Sequence, residues 1–315
     1  MKVIKGYQNL TLSIPHPVVA IGNFDGVHLG HQKIIEIARQ KARERSGQSI
    51  AFTFRPHPKI ALHPERKISL LTTYDEKLEL LSHLGLDYTI EEPFSREFSS
   101  NEPEEFFHSV LLQKIRAETI VVGYDFAFGK DRHGHLDTLR SCCEKAGVEL
   151  IVVPAQTLGQ ELVSSSQIRQ HLLQGDIMAA DRLLGRPFSY QGVVIKGDGK
   201  GHQLGYPTAN LRIEDKITLP YGVYSTRTLI QQRSYPSVTN VGVRPTFYSP
   251  TPDSFTELPV LVETHLLDQD LDLYGSTIEV QFMKKIREER KFSSIDELKN
   301  QIQLDTLTAR KDLEF

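Results

Sequence analysis

The sequence predicts an α/β first half, a doubly wound parallel sheet with helices on both faces, followed by a small antiparallel β-barrel with a terminal helix. Three observations carry this. Short β-rich runs alternate with helical spacing up to about residue 185, and Gly- and Pro-broken β-runs follow to about residue 282. A last helix is then signalled by Ser294-x-x-Glu297 with Ile295, Leu298 and Ile302.

In order, the first half offers strands at 18–22, 49–54, 86–90, 119–123 and 148–153. Between them, Ile34, Ile35, Ala38 and Ala42 keep helical spacing, as do Leu78, Leu81 and Leu84 behind the capping box Thr73-x-x-Glu76. A third helix begins near Asn101-Glu102-Pro103-Glu104, with a cap residue and acids in its first turn. The barrel runs are 192–196, 223–229, 237–243, 261–266 and 277–282. The 315 residues suit two domains, and the change of character at Gly185-Arg186-Pro187 divides them as 1–186 and 187–315.

Composition narrows the function. Lys+Arg total 37 and Asp+Glu 40, a net charge of −3, which argues against holding nucleic acid by bulk phosphate attraction. The 2 cysteines, Cys142 and Cys143, are neighbours, so they neither staple distant segments nor form a zinc pattern. With no apolar run long enough for a signal peptide or a membrane span, a cytoplasmic protein is expected.

The predicted strand 18–22 runs into Gly22-Asn23-Phe24-Asp25-Gly26-Val27-His28-Leu29-Gly30-His31 and then a helix. Glycines let backbone approach a ligand, and a helix N-terminus attracts phosphate. The alternatives for the histidines are a metal pair or a bland surface role; the setting after a strand, among glycines, favours phosphate. Ser164-Ser165-Ser166-Gln167-Ile168-Arg169 reads as a strand-to-helix transition offering hydroxyls and a guanidinium, or as a plain N-cap with a solvated Arg. Between these lies Gly123-Tyr124-Asp125-Phe126-Ala127-Phe128 at a strand end. Ligands of open α/β sheets bind beyond carboxyl ends of strands, and all three segments are expected there. Arg55-Pro56-His57-Pro58 either aims Arg55 or His57 at that site or ends its strand.

Together, GNFDGVHLGH, TFRPHP, VVGYDFAFGKDRHG and SSSQIR resemble the FAD synthetase half of the bacterial bifunctional riboflavin kinase/FAD synthetase family, a Rossmann-like nucleotidyltransferase. The resemblance implies ATP between the His-x-Gly-His-type and Ser-rich motifs and AMP transfer to FMN. His28, His31 and Arg169 are then catalytic; Gly22, Asn23, Phe24, Asp25, Gly30, Asp125, Ser164, Ser165 and Ser166 bind nucleotide; Arg55, Pro56, His57, Phe126 and Phe128 bind flavin. The FMN phosphate is ionised at neutral pH, so this chemistry needs positioning and charge stabilisation rather than a strong base. Ser166 replaces the family's frequent threonine and keeps the hydroxyl.

The loop from Gly197 to Asn210 is neither a P-loop nor Gly-x-Gly-x-x-Gly. On residue types alone it stands equally as a phosphate wrap, with Thr208 offered to Mg²⁺, or as a glycine-rich hairpin. With Gly222-Val223-Tyr224, Asn240 to Thr246 and Val262 to Leu267, it is similar to the riboflavin kinase domain, a six-stranded barrel with a C-terminal helix. That resemblance implies Gly197, Gly199, Gly201, Pro207, Thr208 and Asn210 at the nucleotide, Mg²⁺ on Thr208 and Asn210, Arg244 at the flavin, and Glu263 as catalytic base. The ribityl hydroxyl must lose a proton as it attacks the γ-phosphate, and a carboxylate suits that step. His202 stands where the family commonly has arginine, and 247–259 is longer than expected between barrel strands.

The expected enzyme therefore phosphorylates riboflavin to FMN and adenylylates FMN to FAD, with riboflavin, FMN and ATP as substrates, no nucleic acid or membrane partner, and subunit assembly left open. A rival is a flavin-sensing, nucleic-acid-binding regulator on the same scaffold. Net charge and the absence of an added basic domain argue against it; the patch from Lys284 to Lys291 reads as a solvated strand-to-helix turn.

Overall fold

The computed structural model describes residues 1–65, 68–196, 201, 204–213, 216–243, 260–269 and 271–313. The expectations placed on Gly197, Gly199, His202, Arg244 and the 247–259 loop fall outside these residues. Backbone contacts divide the chain into two compact units, Met1–Ser165 and Ser166–Phe315.

In the first unit, β1 (Lys2–Lys5), β2 (Pro17–Ile21), β3 (Gln48–Arg55), β4 (Tyr88–Pro93), β5 (Thr119–Gly123) and β6 (Glu149–Val153) form a six-stranded sheet in the order β1-β4-β3-β2-β5-β6, every neighbouring pair parallel. The chain winds outward from β2 through β3 and returns to add β5 on its other side, a reversal of strand order at which open α/β sheets bind ligands beyond the carboxyl ends of their strands.

Alternation along β2 explains the layers. Val18 and Ala20 pack on one face with Ile34, Ile35 and Ala38 of α1 (Leu29–Glu44) and with Leu81 of α3 (Tyr74–His83). Val19 and Ile21 pack on the other with Phe106, Phe107, Val110 and Leu111, and with Leu139, Cys142 and Cys143 of α6 (Leu136–Ala146). Between these come α2 (Pro58–Leu62), α4 (Arg96–Ser99) and α5 (Pro103–Glu105), the last running into a π-helical segment, Phe106–Ile115. The Thr73–Glu76 capping box forms as its sequence requires. Edge strand β1 escapes sequence reading because Lys2 and Lys5 bracket just two apolar residues, of which Ile4 is buried.

The Ser-rich segment differs from expectation. It follows a two-stranded hairpin, β7 (Thr157–Leu158) with β8 (Glu161–Leu162), rather than a strand of the main sheet, which Pro154 ends.

The boundary falls at the first residue of α7 (Ser165–Gln174), and the second unit continues with α8 (Ile177–Leu184). Asp176 caps the start of α8, and Gly185, at φ 73°, closes it in the left-handed conformation. Strands β9 (Ser189–Val193), β10 (Ala209–Arg212), β11 (Gly222–Ile230), β12 (Arg233–Val243), β13 (Val260–Leu266) and β14 (Thr277–Arg287) follow, then α9 (Ile295–Leu313). They form a six-stranded antiparallel sheet in the order β10-β13-β12-β11-β14-β9. A bridge in which the Ile195 N–H donates to the Asn210 carbonyl (2.8 Å) brings the outer strands together into a nearly closed barrel.

Inside, the hydroxyls of Thr226, Ser237, Thr239 and Thr264 are fully buried and bond one another at 2.7–2.8 Å, so no desolvated oxygen of this set is orphaned. Strand β14 extends to Arg287, beyond the expected 282, and the reading of Lys284 onward as a solvated turn is corrected: Lys284 and Arg287 lie in the strand and pair with Asp312 and Asp305 of α9.

Candidate functional sites

The loop leaving β2 is held in a strained shape. Phe24 (φ 51°) and Val27 (φ 41°) both adopt the left-handed region, which a bulky or β-branched side chain disfavours. Five hydrogen bonds impose it. Asp25 Oδ1 accepts from the backbone N–H of Leu71 (2.9 Å) and Thr72 (3.3 Å), and the Gly26 N–H donates to Thr72 Oγ1 (3.2 Å). Ser165 Oγ donates to the Asp25 carbonyl (3.0 Å), and Thr53 Oγ1 to the Asn23 carbonyl (3.1 Å). Gly22 starts the turn with its N–H on the Phe52 carbonyl. The Asp25 carboxylate thus clamps the loop, and Ser165 joins the Ser-rich segment to it.

His28 is the N-cap of α1, its Nδ1 accepting from the His31 N–H at 3.3 Å. With Nδ1 accepting, the neutral ring carries its proton on Nε2, as a donor. The rings of His28 and His31 stack at 3.6 Å and 17°, and Phe24 meets His31 edge-on. A Cβ on Gly30 would lie 3.2 Å from the His28 ring, so a side chain there would press that ring aside by a few tenths of an ångström. Burial first, then His28 and Lys77, hold the His31 imidazole well below its usual range; it is neutral at pH 7. Among the described residues, His31 Nδ1 is buried with no hydrogen-bond partner.

Beyond β3, Arg55 lies over the Tyr74 ring (4.8 Å) and within 3.5 Å of Asp75 Oδ1, half exposed. Pro56 follows a cis peptide bond. His57 is buried as the N-cap of α2, its Nδ1 accepting from the Lys59 N–H at 3.2 Å. After β5, Asp125 is exposed, while Phe126 and Phe128 stack at 5.4 Å and 17°. Around the ends of β3 and β4, the rings of Phe54, Phe94 and Phe98 contact one another edge-on or tilted, a cluster the sequence reading did not single out. Ser164 is half-buried and Ser166 exposed; Arg169 lies on α7, in the second unit.

In the barrel, Asn210 on β10 and Asn240 on β12 stand directly opposite Glu263 on β13, one to each side. The burial pattern of β13 sends Val262, Thr264 and Leu266 into the core and leaves Glu263 and His265 half-buried on the other face. His265 Nδ1–H donates to the Pro207 carbonyl (2.8 Å), which fixes the segment from Pro207 to Asn210 against β13. Asn210 is buried, its Nδ2 donating to the Thr208 carbonyl at 3.4 Å. A Cβ on Gly201 would lie 3.2 Å from Thr208 Oγ1, so backbone and hydroxyl meet closely there. Residue types alone pointed to neither Asn240 nor His265, because an amide and an imidazole on a strand carry no local signal.

The FAD synthetase family matches residues 13–167 and the riboflavin kinase family residues 184–313. The bifunctional riboflavin kinase/FMN adenylyltransferase of Escherichia coli (strain K12) is 35% identical over 313 residues, 99% of this chain and 97% of the relative. That of Bacillus subtilis (strain 168) is 35% identical over 309 residues, 94% of this chain and 95% of the relative. A crystal structure described as a macrolide-efflux protein from Streptococcus pneumoniae shares the fold with a TM-score of 0.86 at 30% identity, covering 98% of this chain and 99% of that one. Among the described residues here, no helix is long and apolar enough to cross a membrane. The chain belongs to the bifunctional riboflavin kinase/FMN adenylyltransferase family.

Proposed function

We propose that the two activities of this family reside in separate domains, 1–186 for FMN adenylylation and 187–315 for riboflavin phosphorylation. The observation that supports this reading is that the tethered histidine loop lies in the first compact unit and the row Asn210–Glu263–Asn240 in the second, although the units themselves divide after Ser165, ahead of the proposed boundary.

In the barrel, Glu263 takes the proton of the ribityl 5′-hydroxyl as it attacks the γ-phosphate of ATP. Mg²⁺ fits the donors present. Thr208 supplies a hydroxyl and Asn210 an amide oxygen, both hard oxygen ligands. The ion, when bound, supplies charge neutralisation to the phosphates.

In the first unit, the Nε2–H of His28 and the buried edge of His31 address the α-phosphate while the FMN phosphate attacks it and pyrophosphate leaves, with Ser165 fastened to the same loop. The Phe126–Phe128 stack and the Phe54, Phe94 and Phe98 rings provide aromatic surface for the flavin. His57 caps α2 through Nδ1.

The test is a time course of the purified chain with riboflavin, ATP and Mg²⁺, separating the three flavins. FMN rises first and FAD follows. FMN without FAD, even when FMN is the supplied substrate, overturns the assignment of the first unit.

A further inference from the structure

Lys77 on α3 belongs to none of the motifs above, yet it is 4% exposed and sits beneath the loop leaving β2. Its Nζ donates to Thr53 Oγ1 (3.1 Å) and the Phe54 carbonyl (3.1 Å), and lies 3.5 Å from the Asn23 carbonyl. Thr53 Oγ1 passes its own proton on to the Asn23 carbonyl at 3.1 Å. One ammonium therefore ties the carboxyl end of β3 to the second residue of the loop after β2. A lysine this buried is rare unless a specific arrangement of oxygens receives it.

On the reading that the first unit adenylylates FMN, we propose that Lys77 is a positioning residue of that site: its ammonium sets the Asn23 carbonyl and the β3 end through the Thr53 relay, and it holds a positive charge within electrostatic reach of His31. The charged and titratable groups facing it are Glu91 on β4, Asp25 in the loop, Arg55 on β3, Lys5 on β1 and His31 on α1, with Tyr74 of its own helix 5.4 Å away. Burial brings the ammonium down to about 8, against the opposing pull of Glu91 and Asp25. Its field in turn helps keep His31 neutral, so the nucleotide's phosphates meet a neutral donor near a buried cation rather than two competing cations.

The experiment compares full-length wild type, K77M and T53V. Three quantities are read: FMN adenylylation kinetics across pH, riboflavin phosphorylation as an internal check on folding, and the His31 titration by NMR, assigned by its loss in H31Q. In K77M, FAD formation falls roughly a hundredfold, the scale of a misplaced active-site group. The basic limb near pH 8 disappears, the His31 midpoint rises, and riboflavin phosphorylation persists. T53V breaks the relay and keeps the charge; it loses about tenfold in FAD formation and leaves the His31 midpoint in place.

FAD formation in K77M within twofold of wild type, or an unmoved His31 midpoint, overturns the role of Lys77 while wild-type FAD formation leaves the functional reading intact. If K77M does not fold, an undiminished T53V overturns it. A wild type that makes no FAD from FMN overturns the functional reading itself, and the role of Lys77 with it.

Discussion

Asn210 and Glu263 face each other across the antiparallel ladder of β10 and β13, with Asn240 on the far side of Glu263. The carboxylate thus stands between two amides on the half-buried face of its strand, and His265, two residues on, holds the Pro207 carbonyl beside it. Replacing the carboxylate by an amide keeps the shape and removes the proton acceptor. E263Q is expected to lower riboflavin phosphorylation by about 10²–10⁴-fold, the range of a lost general base. FAD formation from supplied FMN should survive, which chromatography of the flavins reads directly. Equal loss of both activities refutes the two-site assignment.

His28 both caps α1 and faces the nucleotide site, and two substitutions separate these roles. H28A removes the acceptor for the His31 N–H, costing about 1 kcal/mol in urea unfolding, together with the Nε2 donor. H28N restores a good N-cap and so recovers that stability, but FAD formation stays depressed by about 10²–10³-fold, as for a lost oxyanion donor. FMN formation continues in both variants. Recovery of FAD formation in H28N would mean that His28 acts through the helix alone.

Much of this was legible in the sequence because its signals are local. The capping box of Thr73 and Glu76 appears as read, and β5 has the predicted bounds. What was hidden depends on distant partners. Lys77 looks like a solvated helix lysine until β3 and the loop after β2 surround it with oxygens. That Asp25 also clamps its own loop was hidden, because Leu71 and Thr72, far along the chain, present their N–H groups to it. Strand β14 runs past its apparent end because Lys284 and Arg287 find carboxylates on α9, which no window along β14 contains.

Asp181 on α8 gives the second unit a pH dependence. Its Oδ1 accepts from the Phe188 N–H at 2.7 Å, and burial pushes its carboxyl up to about 7 from an ordinary value of 3.8. A raised acid binds protons in the folded state that the unfolded chain has already released, so stability falls as pH rises from about 4 to about 7. D181N keeps the oxygen acceptor and removes the ionisation. It should match wild type near pH 4 and exceed it at pH 8 by on the order of 1 kcal/mol in chemical unfolding. A constant difference across that window rules out Asp181 as the source.

The anchor of α9 is a buried fork. Arg287 Nε donates to Asp305 Oδ1 at 2.9 Å and its Nη2 to Oδ2 at 2.7 Å, while Gln301 Nε2 donates to Oδ1 at 2.7 Å. Asp305 is 2% exposed, and Ala309 and Leu313 pack near it against Val223 and Val238. Removing one partner strands a guanidinium in a poorly solvated place. D305A should therefore cost about 3–5 kcal/mol, far above a surface ion pair. Replacing both charges by apolar groups removes the stranded ion, so D305A combined with R287M should recover most of that loss. Thermal unfolding followed by riboflavin phosphorylation reads both variants, and FAD formation from supplied FMN reports whether the damage stays in the barrel. A double variant no more stable than D305A would show that the pair acts through its hydrogen bonds to α9 rather than through desolvated charge.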